Sequence, residues 1–103
     1  MEIFEYDNYE AYFNAMIELH RNDRGYKTRL ANAVKVHPSY ITRVCAGAVP
    51  LTPDQASALA DFWGLKQLES EYFLWLVLKA RASSTPMKKM AEERLWSIKT
   101  QHN

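Results

Sequence analysis

Between Lys27 and Arg43 the chain gathers side chains that donate hydrogen bonds or carry positive charge: Lys27, Thr28, Arg29, Lys35, His37, Ser39, Tyr40, Thr42 and Arg43. Donors of this kind suit phosphate oxygens and the edges of bases. Arg43 has the fork that pairs with guanine O6 and N7, and His37, next to a helix start, suits a phosphate. Formal net charge is only +1, yet Arg24, Lys27, Arg29, Lys35 and Arg43 lie between Arg24 and Pro53 with no Asp or Glu among them, while four of the twelve acids fall in the first ten residues. A locally one-signed surface attracts phosphate whatever the whole-chain balance. The same stretch also fits an ordinary solvated face. For single residues, Tyr40 either reaches a base edge or packs over the following helix, and Arg43 either reads a base or is only solvated.

Enzyme chemistry has little to work with. His20, His37 and His102 are too far apart in sequence to form a local metal signature with the single Cys45, and the three glycines build no phosphate loop. Glu69 with Glu71 and Glu92 with Glu93 resemble exposed helix faces, without the apolar pocket that raises a carboxylate's pKa for catalysis. His20 is expected on the inner face of the first helix and Cys45 as a small half-buried side chain. No catalytic residue, metal site or cofactor is expected.

The elements that must hold the basic stretch are helices. With 48% hydrophobic and 13% aromatic residues, a chain of 103 residues has enough apolar material for one folded domain. Asp7 or Asn8 caps a first helix carrying Tyr9, Tyr12, Phe13, Met16 and Ile17 at helical spacing, with Gly25 as its stop. A second helix is expected from about Lys27 to Val34. A third begins at Pro38, at a first helical position where the missing N–H costs nothing, and ends near Gly47. "LTPDQ" gives a fourth start, with Thr52 as cap and Gln55 reaching back, and Gly64 ends that helix. The fifth, from about Lys66 to Ala82, is apolar nearly all round at "YFLWLVL" and needs cover on more than one side. After "SSTP" a sixth carries Met87, Met90, Ala91, Leu95 and Ile98. The expectation is all-α, with five helices in residues 1–83 and a C-terminal sixth in 84–103.

"LANAVKVHPSYITRVCAG", Leu30 to Gly47, answers what so tight a junction is for. Ala31 supplies a small residue where one short helix meets the next, and Leu30, Val34, Val36, Ile41 and Val44 form an apolar clamp on the turn. That is the pattern of a helix-turn-helix, whose second helix lies in the DNA major groove. A purely structural pair of helices shows the same clamp. From about Lys27 to Leu65 the chain resembles the five-helix DNA-binding domains of Cro/C1-type phage repressors, with "FWGL" where these end their fourth helix in an "ALG"-like sequence. From about Tyr9 to Ser83 it looks similar to the N-terminal domain of a family of bacterial regulators marked by a "YL..V..G...LTP" segment, here "YITRVCAGAVPLTP", and by an "EYF" that leads into a long apolar helix. The resemblance implies a repressor-like helix-turn-helix bundle that binds double-stranded DNA, with Ser39 and Tyr40 near base edges. It also implies a left-handed turn residue at Lys35, where the family usually has Gly. No Gln or Asn stands on the third helix to read adenine, so shape and phosphates should contribute much of the affinity.

In the C-terminal third, Trp75, Leu76 and Leu78 cannot all point into one core from one helix, because adjacent residues diverge by about 100°. They are expected to meet either the sixth helix or a second subunit. Trp75, Leu78, Met90 and Leu95 are the candidate dimer interface of a homodimer, and another regulatory protein is a further candidate partner. Lys88 and Lys89, in the first turn of the sixth helix, oppose the helix dipole and are either phosphate contacts or solvated lysines. The longest dense apolar run has seven residues, so no membrane partner is expected. The acidic start "MEIFEYDNYE" has no signal-peptide pattern, and a single Cys suits a reducing compartment; the expected location is the cytoplasm.

Overall fold

Side chains that can accept from unpaired backbone N–H groups mark where the helices begin. In the computed structural model, which describes residues 2–102, the Asn8 side chain accepts from Ala11 N at 2.8 Å and opens α1 (Tyr9–Leu19). The His37 ring opens α3 (Pro38–Cys45), and Thr52 opens α4 (Pro53–Phe62). Both halves of the expected capping box form: Gln55 N donates to Thr52 Oγ1 at 3.1 Å and Thr52 N to Gln55 Oε1 at 3.0 Å. Between these lies α2 (Tyr26–Ala33). Lys66 N donates to Glu69 Oε1 at the start of α5 (Gln67–Arg81), and Met87 N donates to Ser84 Oγ at the start of α6 (Thr85–His102). Among the described residues the chain is therefore all-α, with six helices and no strand, as the punctuation of the sequence predicts.

Three of the helices also end alike. After α3, Ala48 N donates to Arg43 O and Gly47 N to Val44 O; after α4, Leu65 N donates to Ala60 O and Gly64 N to Asp61 O. Each pair closes the last turn through a left-handed residue, Gly47 or Gly64. After α2 the same two bonds run from Val36 N to Ala31 O and from Lys35 N to Asn32 O, but the left-handed residue is Lys35, at φ 60°.

Two local expectations need correction. Gly25 does not stop the first helix, which ends six residues earlier at Leu19. The intervening residues form turns, closed by Asp23 N to His20 O and Tyr26 N to Asp23 O, and Gly25, at φ 87°, instead precedes α2. His20 accordingly sits at the end of α1, where its ring stacks on Tyr26 at 4.2 Å and 7°. An unexpected short 3-10 turn, Ile3–Glu5, buries Ile3 and Phe4. The Tyr72 hydroxyl holds it by donating to Tyr6 O at 2.7 Å.

The core is knotted around Trp63, just past α4. Its ring meets Tyr12, Phe13 and Phe73 edge-on at centroid distances of 5.4, 6.1 and 5.3 Å, geometry that suits the aromatic quadrupole. Its Nε1 donates to Tyr26 Oη at 2.8 Å, so one side chain ties α1, α2, α4 and α5 together. The apolar α5 gains its cover from α4, α6 and the N-terminal turn. Tyr72, Phe73, Leu76 and Val77 are buried, while Trp75 and Leu78 are half-buried. Leu95, expected at a dimer face, is only 7% exposed and fills this same core with Ile98 and Ala91, because α6 folds back over α5. In this arrangement it has no surface to offer a second copy. No helix among the described residues is long and apolar enough to cross a membrane.

Burial raises the pKa of Tyr9, Tyr12, Tyr26 and Tyr72; Tyr12 is pushed up to about 12, first by desolvation and then by the Glu69 carboxylate. A raised folded-state pKa means stability that is fully present below the unfolded value of about 10 and is lost as pH rises through the folded value. Tyrosinate absorbance should therefore show the buried tyrosines titrating above the ordinary value of about 10, Tyr12 near 12, together with loss of helical circular dichroism. Titration of all tyrosines near pH 10 with the helices intact would contradict this packing.

Candidate nucleic-acid interface

The angle between α2 and α3 is set by what lies between them. Leu30, Ala31, Ile41 and Val44 are fully buried or nearly so, Val34 is buried and Val36 half-buried, so the expected clamp is closed. With no side chain beyond Cβ, Ala31 lets the helices approach closely. Burying Ile41 and Val44 turns the opposite face of α3 outward, and Ser39, Thr42 and Arg43, spaced i, i+3 and i+4, are all exposed on it. Lys27, Thr28 and Arg29 are exposed on α2, and Lys35 and His37 in the turn. The structure thus brings eight of the nine predicted residues to the surface of one helix pair.

Their hydrogen bonds divide the work further. His37 Nδ1 accepts from Ser39 N at 3.1 Å and lies 2.9 Å from Ser39 Oγ. Accepting there assigns the ring proton to Nε2, which leaves an outward N–H donor. The Ser39 hydroxyl, exposed beside the ring, can both donate and accept. Arg29 is paired with Asp23, which offsets its charge at the edge of the face. Lys27 sits near enough to Cys45 to lower its thiol pKa, although burial of the half-exposed thiol dominates and the net shift is upward. A protonated, partly buried thiol is a poor nucleophile.

Tyr40 is the ninth residue, and its placement differs. It is half-buried, packs against the core and donates from its hydroxyl to Pro50 O at 3.1 Å. Its hydroxyl therefore holds the loop between α3 and α4. Sequence reasoning passed over Asn32, which is exposed on α2 one turn after Thr28 and adds an amide donor and acceptor. The signal was its i+4 spacing from Thr28, on the face opposite Leu30. The histidines are dispersed: His20 stacks on Tyr26 and His102 on Phe4, far in sequence from His37. Of the candidate dimer residues, Met90 is 54% exposed, while Trp75 lies under Arg94, whose guanidinium carbon is 6.0 Å from the ring centroid.

Comparison with known proteins adds no assignment to this geometry: no family model matches the chain, and no curated protein or solved structure shows significant similarity to it.

His37 and Tyr40 act on different parts of the fold, so their removal should be separable. His37→Ala deletes a helix cap and should lower unfolding free energy by about 1 kcal/mol. Tyr40→Phe deletes one neutral hydrogen bond and should cost about 0.5–1.5 kcal/mol. Urea denaturation of each variant measures these values, and a double variant should be close to additive if the cap and the loop strap are independent.

Proposed function

We propose that this chain is a sequence-specific, double-stranded DNA-binding regulator of repressor type, acting through α2 and α3 and not through catalysis. The observation that carries the reading is the exposed face of α3, Ser39, Thr42 and Arg43, set on an apolar clamp within a stretch that lacks any carboxylate. In this reading α3 enters the major groove with Arg43 aimed at a guanine edge, and Thr42 and the Ser39 oxygen contact neighbouring bases. Lys27, Thr28, Lys35 and the His37 Nε2–H contact phosphates, with Arg29 joining them if it exchanges Asp23 for the backbone. The resemblance of Lys27 to Leu65 to Cro/C1-type domains supports the same assignment. The unpaired Cys45 favours the cytoplasm, and no cofactor is required.

Few base-reading side chains on one helix favour a homodimer, which sets two such helices about 34 Å apart on successive major-groove turns. With Leu95 inside the core, the interface falls to Met90 and the exposed parts of Trp75 and Leu78. A second reading, a helical module that binds a regulatory protein through its C-terminal helices, draws on the exposure of Met90 and of Trp96, 69% exposed. Salt separates the two, since phosphate contacts lose orders of magnitude in affinity as salt rises severalfold and apolar contacts respond little.

Selection from a random duplex pool, followed by anisotropy titrations, tests the DNA reading. Arg43→Ala should cost about 1–3 kcal/mol on the selected site and relax preference at one base pair, whereas Lys27→Ala should weaken all duplexes alike. If neither substitution changed duplex affinity, this face would not be the binding surface. Light scattering with and without the selected duplex tests the pairing: the expected species is two chains per two-fold symmetric site, and one chain per site at high micromolar concentration would exclude the homodimer.

A further inference from the structure

A second surface, formed by α4 and α5, has the opposite charge. An open groove of about 500 Å³ runs between these helices, lined by half-buried Ala58, Leu65 and Leu74, by Ser57 and Ser70, and by the carboxylates of Asp54, Asp61 and Glu71, the first two exposed and the third half-buried. No Lys or Arg lines it, and none of the three carboxylates belongs to an ion pair among the described residues. Asp54, in the first turn of α4, has a local use because it complements the positive end of the helix dipole. Asp61 has none. It sits in the last turn of the same helix, where an anion is unfavourable, so its charge does not stabilise that helix.

We propose that this groove docks a basic amphipathic helix of a partner protein. The carboxylates repel nucleic acid and anionic membranes, and the apolar lining gives a small cation nothing to match. A helix with Lys or Arg beside an apolar ridge satisfies both features at once. Asp54 and Asp61 are seven residues apart on one face of α4, about 10 Å along its axis, or two turns. Apolar side chains at i and i+3 or i+4 of the incoming helix then cover Ala58, Leu65 and Leu74. Basic side chains on either flank reach the three carboxylates. The small Ala58 allows the two backbones to come close. This docking is independent of the DNA-binding reading, because no residue of the α2–α3 face takes part.

The probe is a synthetic peptide of about 14 residues with Leu at i, i+3, i+4 and i+7 and Lys elsewhere, titrated into the full-length isotope-labelled chain. Amide shifts should concentrate at Ala58, Asp61 and Leu74, and the same peptide with Glu for Lys should not bind. The triple variant Asp54→Asn, Asp61→Asn, Glu71→Gln should weaken binding about tenfold, and Ala58→Trp, which fills the groove, should weaken it by at least as much. A control triple, Glu5→Gln, Glu92→Gln, Glu93→Gln, should change affinity less than about twofold, since exposed charges away from the contact are screened. Shifts centred on α6, or equal losses in the two triples, would overturn the proposal. So would self-association that the first triple abolishes and the peptide displaces, because the occupant is then a second copy of this chain.

Discussion

Trp63 donates its indole N–H to the Tyr26 hydroxyl while its ring receives Tyr12, Phe13 and Phe73 edge-on, so α2 cannot rotate against the rest of the bundle without breaking that hydrogen bond and parting Tyr26 from His20 and Phe62. That matters for the basic face. The first helix of the α2–α3 pair is fastened at Tyr26, and the second is fastened at the other end, where Asn14 on α1 donates to Cys45 O at 3.4 Å. What lies between the two fixings is the Ala31 contact and the turn, and both are short enough to transmit the geometry. A pair of eight-residue helices is too short to be stable alone. Its exposed side chains owe their positions to residues that they never touch.

Lys35 is where this arrangement is strained. A left-handed conformation costs a residue with a Cβ on the order of 1 kcal/mol, and the corresponding turns after α3 and α4 avoid it with Gly47 and Gly64. At the α2 end the two closing bonds form regardless, through Val36 and Lys35. Packing of Val34 and Val36 beside the turn is enough to hold the backbone there. The strain brings a positive charge to the rim of the helix pair, which a glycine could not carry. A small loss in stability that adds a cation to a candidate phosphate-contact surface is a common exchange at functional sites.

Features encoded within a few residues were legible in the sequence: the caps at Asn8, His37 and Thr52, the Gln55 reciprocal bond, the glycine ends of α3 and α4, and the clamp from Leu30 to Val44. Each is local chemistry that needs no knowledge of the rest of the fold. Long-range closure was not legible. Ile3 and Phe4 were given no element because the Tyr72 hydroxyl that holds their turn lies 66 residues from its acceptor, Tyr6 O. Leu95 stands on an apolar stripe, which says that something covers it but not which chain does so. Tyr40 has the right spacing for base contact and still turns to Pro50, since a carbonyl ten residues away offers its hydroxyl a fixed partner. The groove likewise takes Asp54 and Asp61 from α4 and Glu71 from α5, and only the packing of those helices makes one site of them.

Charge is sorted in space far more than the formal +1 suggests. Between Arg24 and Pro53 there is no carboxylate, and Asp54 follows at once, opening the helix that carries two of the groove's carboxylates. The boundary falls at the capping box, so the loop from Gly47 to Thr52 separates the two signs. Tyr40 and Arg81 pin that loop by donating to Pro50 O and Leu51 O. Tyr9 adds a third restraint by accepting from Leu51 N. Three side chains from three helices spent on one short loop make sense if the surfaces on its two sides must keep a fixed relation. Fixing the loop holds the carboxylate-free stretch before Asp54 and the helix that follows it in one relation.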